Sequence, residues 1–200
     1  MLLIRCNVSS LVVDTLCEQA VKGNAAVAYF YFDFAAREEQ SPAAVLGSVL
    51  QRLVAGLEKV PGRIVRAFRD QGKVIGGRRL PLSKIVELLQ DILSLGCTFI
   101  CIDALDECPS GYRVKLLDSL NQILQESPGA RLFMTGRQYI LGEVGKHLGG
   151  RVATRCITST KNDIIIFLRA KLEMDTIPDA MDQSLKEEIM KRIPETFSEM

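Results

Sequence analysis

Three carboxylates stand within five residues in the stretch TFICIDALDECPSGY, Thr98–Tyr112: Asp103, Asp106 and Glu107. They follow directly on Phe99, Ile100, Cys101 and Ile102, an apolar run suited to the interior of a sheet. Acids this close raise one another's pKa unless a cation or hydrogen-bond donors compensate. A metal ion, the start of a helix and a bare acidic turn are the three settings to weigh. Further on, Thr135, Gly136 and Arg137 close a second apolar run, RLFMTG followed by arginine. An aspartate at a strand end can hold magnesium, usually through water. A second acid beyond it can orient or deprotonate an attacking water, and an arginine can meet phosphate oxygens. The combination suits phosphate chemistry.

The plainer reading makes the acids a loop that caps a helix near Ser110 and is favoured by its dipole. One acid would fit that reading well; three after a buried strand, with an arginine one strand later, fit the phosphate site better. Asp33, which ends AVAYFYFDF, reads as a turn residue.

Four segments rich in β-branched and aromatic residues predict strands: 26–34, 97–103, 131–136 and RVATRCI at 151–157. The middle two are nearly continuous apolar runs, as strands covered on both faces are. Helical patterns lie between them. Ser41 and Pro42 form a cap with proline at the first helical position, opening a helix to about Leu57. A short helix is expected over 64–69. Leu82, Ile85, Val86, Leu89, Ile92 and Leu93 share one apolar face, as do Leu116, Leu117, Leu120, Ile123 and Leu124. Thr160 with Asp163 resembles a capping box that starts a helix through Leu172, and a last helix is expected over 183–192. Strands alternating with helices predict a parallel α/β sheet. In such sheets ligands gather at the carboxyl ends of the strands, so the acids and Arg137 should emerge on one edge. The expected division is an α/β core over 1–158 and the start of a helical subdomain over 159–200. No closing element follows that last helix, which suggests a piece of a longer chain.

Composition narrows the partners. Twenty-five basic residues against 24 acidic ones leave a net charge of +1, which gives no electrostatic footprint for nucleic acid or for an anionic membrane. No run of about 18 apolar residues predicts a membrane span. The six cysteines are scattered through apolar segments with no signal peptide ahead of them, which predicts reduced, buried thiols in a cytoplasmic protein. Cys97 and Cys101 would lie roughly 13 Å apart along a strand, too far to share one zinc. The single histidine, His147, falls in a helical pattern without a second ligand type nearby and reads as a surface residue.

FICIDALDEC resembles the extended Walker B motif of NACHT-type P-loop NTPases, signalling ATPases of the STAND class, and ARLFMTGR resembles their sensor 1 strand. The flanking AVAYFYFDF, EEQSPAAVLGSVLQRL, TKNDIIIFLRAKL and DAMDQSLKEEI look like the NACHT region of fungal NOD-like and ankyrin-repeat proteins. The resemblance implies a P-loop NTPase-like sheet with ATP and Mg2+ as ligands. It makes Asp103 the magnesium-associated acid, Glu107 the acid that activates water, Asp106 its neighbour in the acidic pair, and Arg137 the sensor of the terminal phosphate. It also implies self-association, or association with related NACHT proteins, in nucleotide-controlled oligomers.

One departure bears on activity. The family's phosphate loop, G-x-x-x-x-G-K-[ST], whose amides and lysine cradle phosphates, is absent from these 200 residues, as is the strand before it. When SSLVVDTL is matched to the helix after that loop, Arg5 and Cys6 fall where the lysine and the Ser/Thr belong. Arginine keeps a charge but not the geometry. Two alternatives therefore stand beside the ATP switch: a non-catalytic pseudo-NTPase that acts through protein contacts, and an unrelated magnesium phosphohydrolase built on the acids.

Overall fold

The computed structural model describes residues 2–23, 25–72, 80–149, 152–157, 160–173 and 181–196, with backbone alone at 2–8, 21, 71, 72 and 196. It divides into two compact units, 1–152 and 153–200.

In the first unit, β1 (Ala26–Tyr31), β2 (Thr98–Asp103) and β3 (Ala130–Met134) form a parallel sheet in that order. This is the expected P-loop NTPase-like α/β arrangement. The register sets Tyr31 beside Asp103 and Ile102 beside Met134, so the three strands finish nearly level. The ladder runs on past them: Phe32 N–H donates to the Asp103 carbonyl at 3.2 Å and Thr135 N–H to the Ile102 carbonyl at 3.0 Å. Everything that follows a strand by one to three residues is thereby gathered at one edge.

The helices are α1 (Leu2–Gly23), α2 (Pro42–Ala55), α3 (Gly62–Gly72), α4 (Leu82–Leu93), α5 (Ser110–Glu126) and α6 (Leu141–Leu148). As its sequence predicts, α2 starts at a serine cap, the Ser41 hydroxyl accepting from Ala44 N–H at 3.3 Å with Pro42 at the first turn. It stops at Ala55 because Gly56 caps it. One face of the sheet gives Ala28, Ile100 and Ile102 to a core built with Leu46 and Val49 of α2, Leu88 and Leu89 of α4, and Leu116 and Leu120 of α5. These side chains are almost wholly excluded from water, at about 1.5–3 kcal/mol for each large apolar group. Among the described residues only α1 stands on the other face, where Ser9 and Val13 meet Tyr29, Tyr31, Cys101, Asp103 and Phe133 around one small gap. Its inward stripe, Ser9, Val13, Leu16 and Ala20, has helical spacing.

The fourth predicted strand does not form. Residues 152–157 are irregular, and Ile157 is 71% exposed. RVATRCI has strand composition, but β-propensity needs a sheet to pack on, and only Val152 reaches the core. The first strand also ends early, at Tyr31, because Asp33 starts a 3-10 turn over Phe34–Ala36 by accepting from Ala35 N–H at 2.9 Å.

The second unit contains α7 (Lys161–Glu173) and α8 (Gln183–Thr196). The capping box at its start is present. Asp163 N–H donates to the Thr160 hydroxyl at 3.2 Å, and Thr160 N–H returns a bond to the Asp163 carboxylate at 2.8 Å. Among the described residues no helix of either unit is long and apolar enough to cross a membrane.

Candidate functional site

Asp103 ends β2 on the α1 side of the sheet and is 5% exposed. Burial of a carboxylate demands donors, and two hydroxyls supply them. Ser9 of α1 and Thr135, just past β3, both donate to Asp103 Oδ1. The Thr135 oxygen also accepts from Ala104 N–H at 3.0 Å, so it ties the end of β3 to both the acid and the turn behind it.

That turn is abrupt. Ala104 takes φ 54 and ψ 45, the left-handed region, which costs a residue with a Cβ roughly 1–2 kcal/mol. The conformation is held from both sides. Leu105 is fully buried, and its N–H donates to the Thr135 carbonyl at 2.9 Å. The chain then makes a 3-10 turn over Leu105–Glu107, which turns Asp106 and Glu107 back over the strand ends.

Asp106 meets Arg137. Its Oδ2 lies 3.1 Å from Arg137 Nε, and its Oδ1 accepts from the Arg137 backbone N–H at 3.1 Å. The Asp106 side chain is 5% exposed while Arg137 is 54% exposed. Gly136 makes the approach possible: a Cβ there would lie 2.6 Å from Ile140 Cδ1 and 3.5 Å from Asp106 Oδ1. Burial, and then the charge of Asp106, raise the pKa of the Glu107 carboxyl. A hydrogen bond from the Phe34 backbone and the charge of Arg137 oppose that rise in part.

The turn has a further support that sequence reasoning missed. Arg113, largely buried in α5, donates through Nη1 to the Cys108 carbonyl at 2.9 Å and through Nε to Glu143 of α6 at 2.8 Å. Its signal was available. Arg113 stands on the same stripe as Leu116, Leu117, Leu120 and Ile123, and an arginine on a core stripe implies buried acceptors. Ser9 gave less warning, since its place between Val8 and Ser10 carries no signal of a buried hydroxyl.

The predicted residues thus fall as follows. Asp103, Asp106, Glu107 and Arg137 share one edge of neighbouring strands. Arg5 lies in the first turns of α1, and its side chain is outside the described residues, as is that of Cys6. The acids do not cap α5: its cap position is Pro109, with no side-chain bond to the helix. His147 is not a free surface group. It is 17% exposed and its Nδ1 sits 2.6 Å from Asp118 Oδ1. The expectation of buried cysteines holds for Cys101 and Cys108, whose thiols are pushed up to about 11 chiefly by burial, and fails for the exposed Cys17, Cys97 and Cys156.

The Asp103 carboxylate and the two hydroxyls form an all-oxygen set, which suits a hard cation. Among the described residues no group of three or more His, Cys, Asp or Glu is gathered around a metal position. A magnesium ion here would therefore draw further oxygens from ligand phosphates and water, as it commonly does.

Residues 7–137 match the family model described as Nephrocystin 3, N-terminal. The match takes in every site residue from Ser9 to Arg137 and stops there. A search of curated protein sequences found no match. Among solved structures, the chain is similar to the Aeropyrum pernix ORC1 protein in complex with DNA, with TM-score 0.53 and 20% identity over 84% of this chain and 40% of that one. It is also similar to a Walker-type ATPase of Pyrococcus abyssi, with TM-score 0.44 and 13% identity over 93% of this chain and 57% of that one. The chain spans less than two thirds of either neighbour's length. At this identity the ORC1 likeness speaks for the fold. Because that neighbour was solved with DNA, the fold gives no support to the exclusion of nucleic acid drawn from charge balance.

Proposed function

Since the chain belongs to the Nephrocystin 3, N-terminal family, we propose that it is a nucleotide-binding module of the NACHT type, the switch element of a larger signalling protein, with ATP and magnesium as its ligand. One observation carries the reading: Asp103, Asp106, Glu107 and Arg137 converge at the carboxyl edge of a parallel sheet, where such folds take their ligands. Asp103, with Ser9 and Thr135 beside it, would hold the magnesium ion, whose role is to neutralise and orient phosphate oxygens. Glu107 is the water-directed acid; its raised pKa makes it a better proton acceptor than a free carboxylate. Arg137 faces the terminal phosphate, and Arg5 stands where a loop lysine is expected. Nucleotide-dependent self-association, or pairing with related modules, is the corresponding output.

A second reading has its own support. The 200 residues contain no G-x-x-x-x-G-K-[ST] motif, and both hydroxyls beside Asp103 already bond to its Oδ1. A module that keeps the fold and acts through protein contacts fits these facts. Titration of the chain with fluorescent ATP, with and without magnesium, separates the two. The first reading expects magnesium-dependent binding that weakens in Asp103→Asn and strengthens when a phosphate-loop segment is fused ahead of α1. No binding with or without that segment would leave the second.

A further inference from the structure

We propose that Asp106 is a positioning residue for Arg137, not a second water-directed acid: it fixes the arginine so that the guanidinium end stands out over the strand edge toward an anionic ligand. This rests on the nucleotide reading of the site for the identity of the ligand, but not for the anchoring itself.

The geometry points this way in three respects. Asp106 is turned inward, with its side chain 5% exposed and directed at the segment after β3. An acid that must reach a water at the strand edge needs its carboxylate open to that edge, and that of Asp106 is closed off. Second, one carboxylate holds Arg137 at two places, the backbone N–H through Oδ1 and the side chain through Oδ2. Third, the side-chain ion pair brings Nε to 3.1 Å from Oδ2, while 54% of the arginine side chain stays exposed. A guanidinium paired near Nε is restrained in rotation, and the exposed part of it can meet phosphate as a planar fork. Arginine loses rotamer entropy when it is ordered, so restraint before binding reduces what the ligand must order. Tyr139 reinforces the arrangement by donating its hydroxyl to the Asp106 carbonyl at 3.2 Å. Asp106 is thus clasped from its backbone while its side chain clasps Arg137.

The test has two arms on the full chain. In the first, without ligand, the Nε–H resonance of Arg137 is identified by its loss in Arg137→Lys and followed in Asp106→Asn. A distinct, slowly exchanging Nε–H in the parent that collapses to the exchange-averaged position in Asp106→Asn is the expected result. Asn keeps an oxygen for the backbone N–H, and an unchanged backbone amide spectrum elsewhere confirms that the fold is intact. An Nε–H signal indifferent to Asp106→Asn overturns the proposal. In the second arm, the affinity for ATP with magnesium is measured around the cycle of Asp106→Asn, Arg137→Lys and both. The expected outcome is a loss of about 3–10-fold for Asp106→Asn in the parent, and no further loss when Arg137 is already lysine. An equal loss in both backgrounds means that Asp106 acts without Arg137, and overturns the proposal. Absent ATP binding in the parent, with the first arm as expected, removes the nucleotide reading and leaves the anchor standing.

Discussion

At the scale of single residues, the site depends on a few polar bonds that can be removed one at a time. Thr135→Val keeps the shape of the side chain but strips one donor from the buried Asp103 carboxylate and one acceptor from Ala104 N–H. Chemical denaturation should show a loss of about 1–3 kcal/mol, the usual cost of leaving such groups unmet. Ala104 offers the opposite change. At φ 54 its Cβ is a liability, and Ala104→Gly should raise stability by up to about 1 kcal/mol despite glycine's greater freedom in the unfolded chain. Glu107 predicts a pH effect whose sign is set by its raised pKa. The folded state binds this proton more tightly than the unfolded chain, so its contribution is most favourable below the ordinary value of 4.5 and declines as pH rises through the higher folded value. Glu107→Gln should therefore gain stability relative to the parent at pH 7, with the difference shrinking at pH 4; urea titrations at both pH values measure it. If the chain hydrolyses ATP, the same variant should slow turnover by about 10²–10⁴-fold with binding nearly unchanged. The acids and Arg137 were legible in the sequence because each follows an apolar run. Their pairing was not, since only the turn at Ala104 decides that Asp106, rather than Glu107, faces the arginine.

At the scale of elements, legibility followed the source of stability. The helices α2, α4 and α7 declare themselves through a cap or an apolar stripe, both local features. RVATRCI has strand composition, yet nothing in its own residues states whether a neighbouring strand is available, and among the described residues none is. The starts of β2 and β3 hold a tighter constraint. A Cβ on Gly129 would come within 2.9 Å of the Gly96 carbonyl oxygen, a backbone atom that cannot rotate away. Gly129→Ala should cost about 1–3 kcal/mol by displacing one strand start, whereas Gly145→Ala in α6, where a Cβ meets nothing within 4 Å, should be neutral or stabilising. Thermal unfolding of the pair tests the contrast. In the second unit, Thr160→Ala removes the side-chain half of the capping box and should fray the first turn of α7, seen as lost helical circular dichroism.

For the whole first unit, the sheet is uneven. Among the described residues one face is sealed by a large core, the other carries α1 alone, and β3 is an edge strand with Leu132, Phe133 and Met134 only half buried. Edges of this kind invite pairing with another chain. The chain should therefore self-associate as its concentration rises, which sedimentation across a concentration series measures. A parent that stays monomeric across the range would show that the edge is protected in solution. The tie through Thr135 has a mechanical consequence. Asp103 is fastened to Thr135, and Arg137 follows only two residues later, a lever of about 7 Å of extended chain. Whatever draws the acid toward a cation also tugs the segment that carries the arginine. Were a phosphate chain bound there, occupancy at one end would be felt at the other, and by thermodynamic necessity the influence would run equally in both directions.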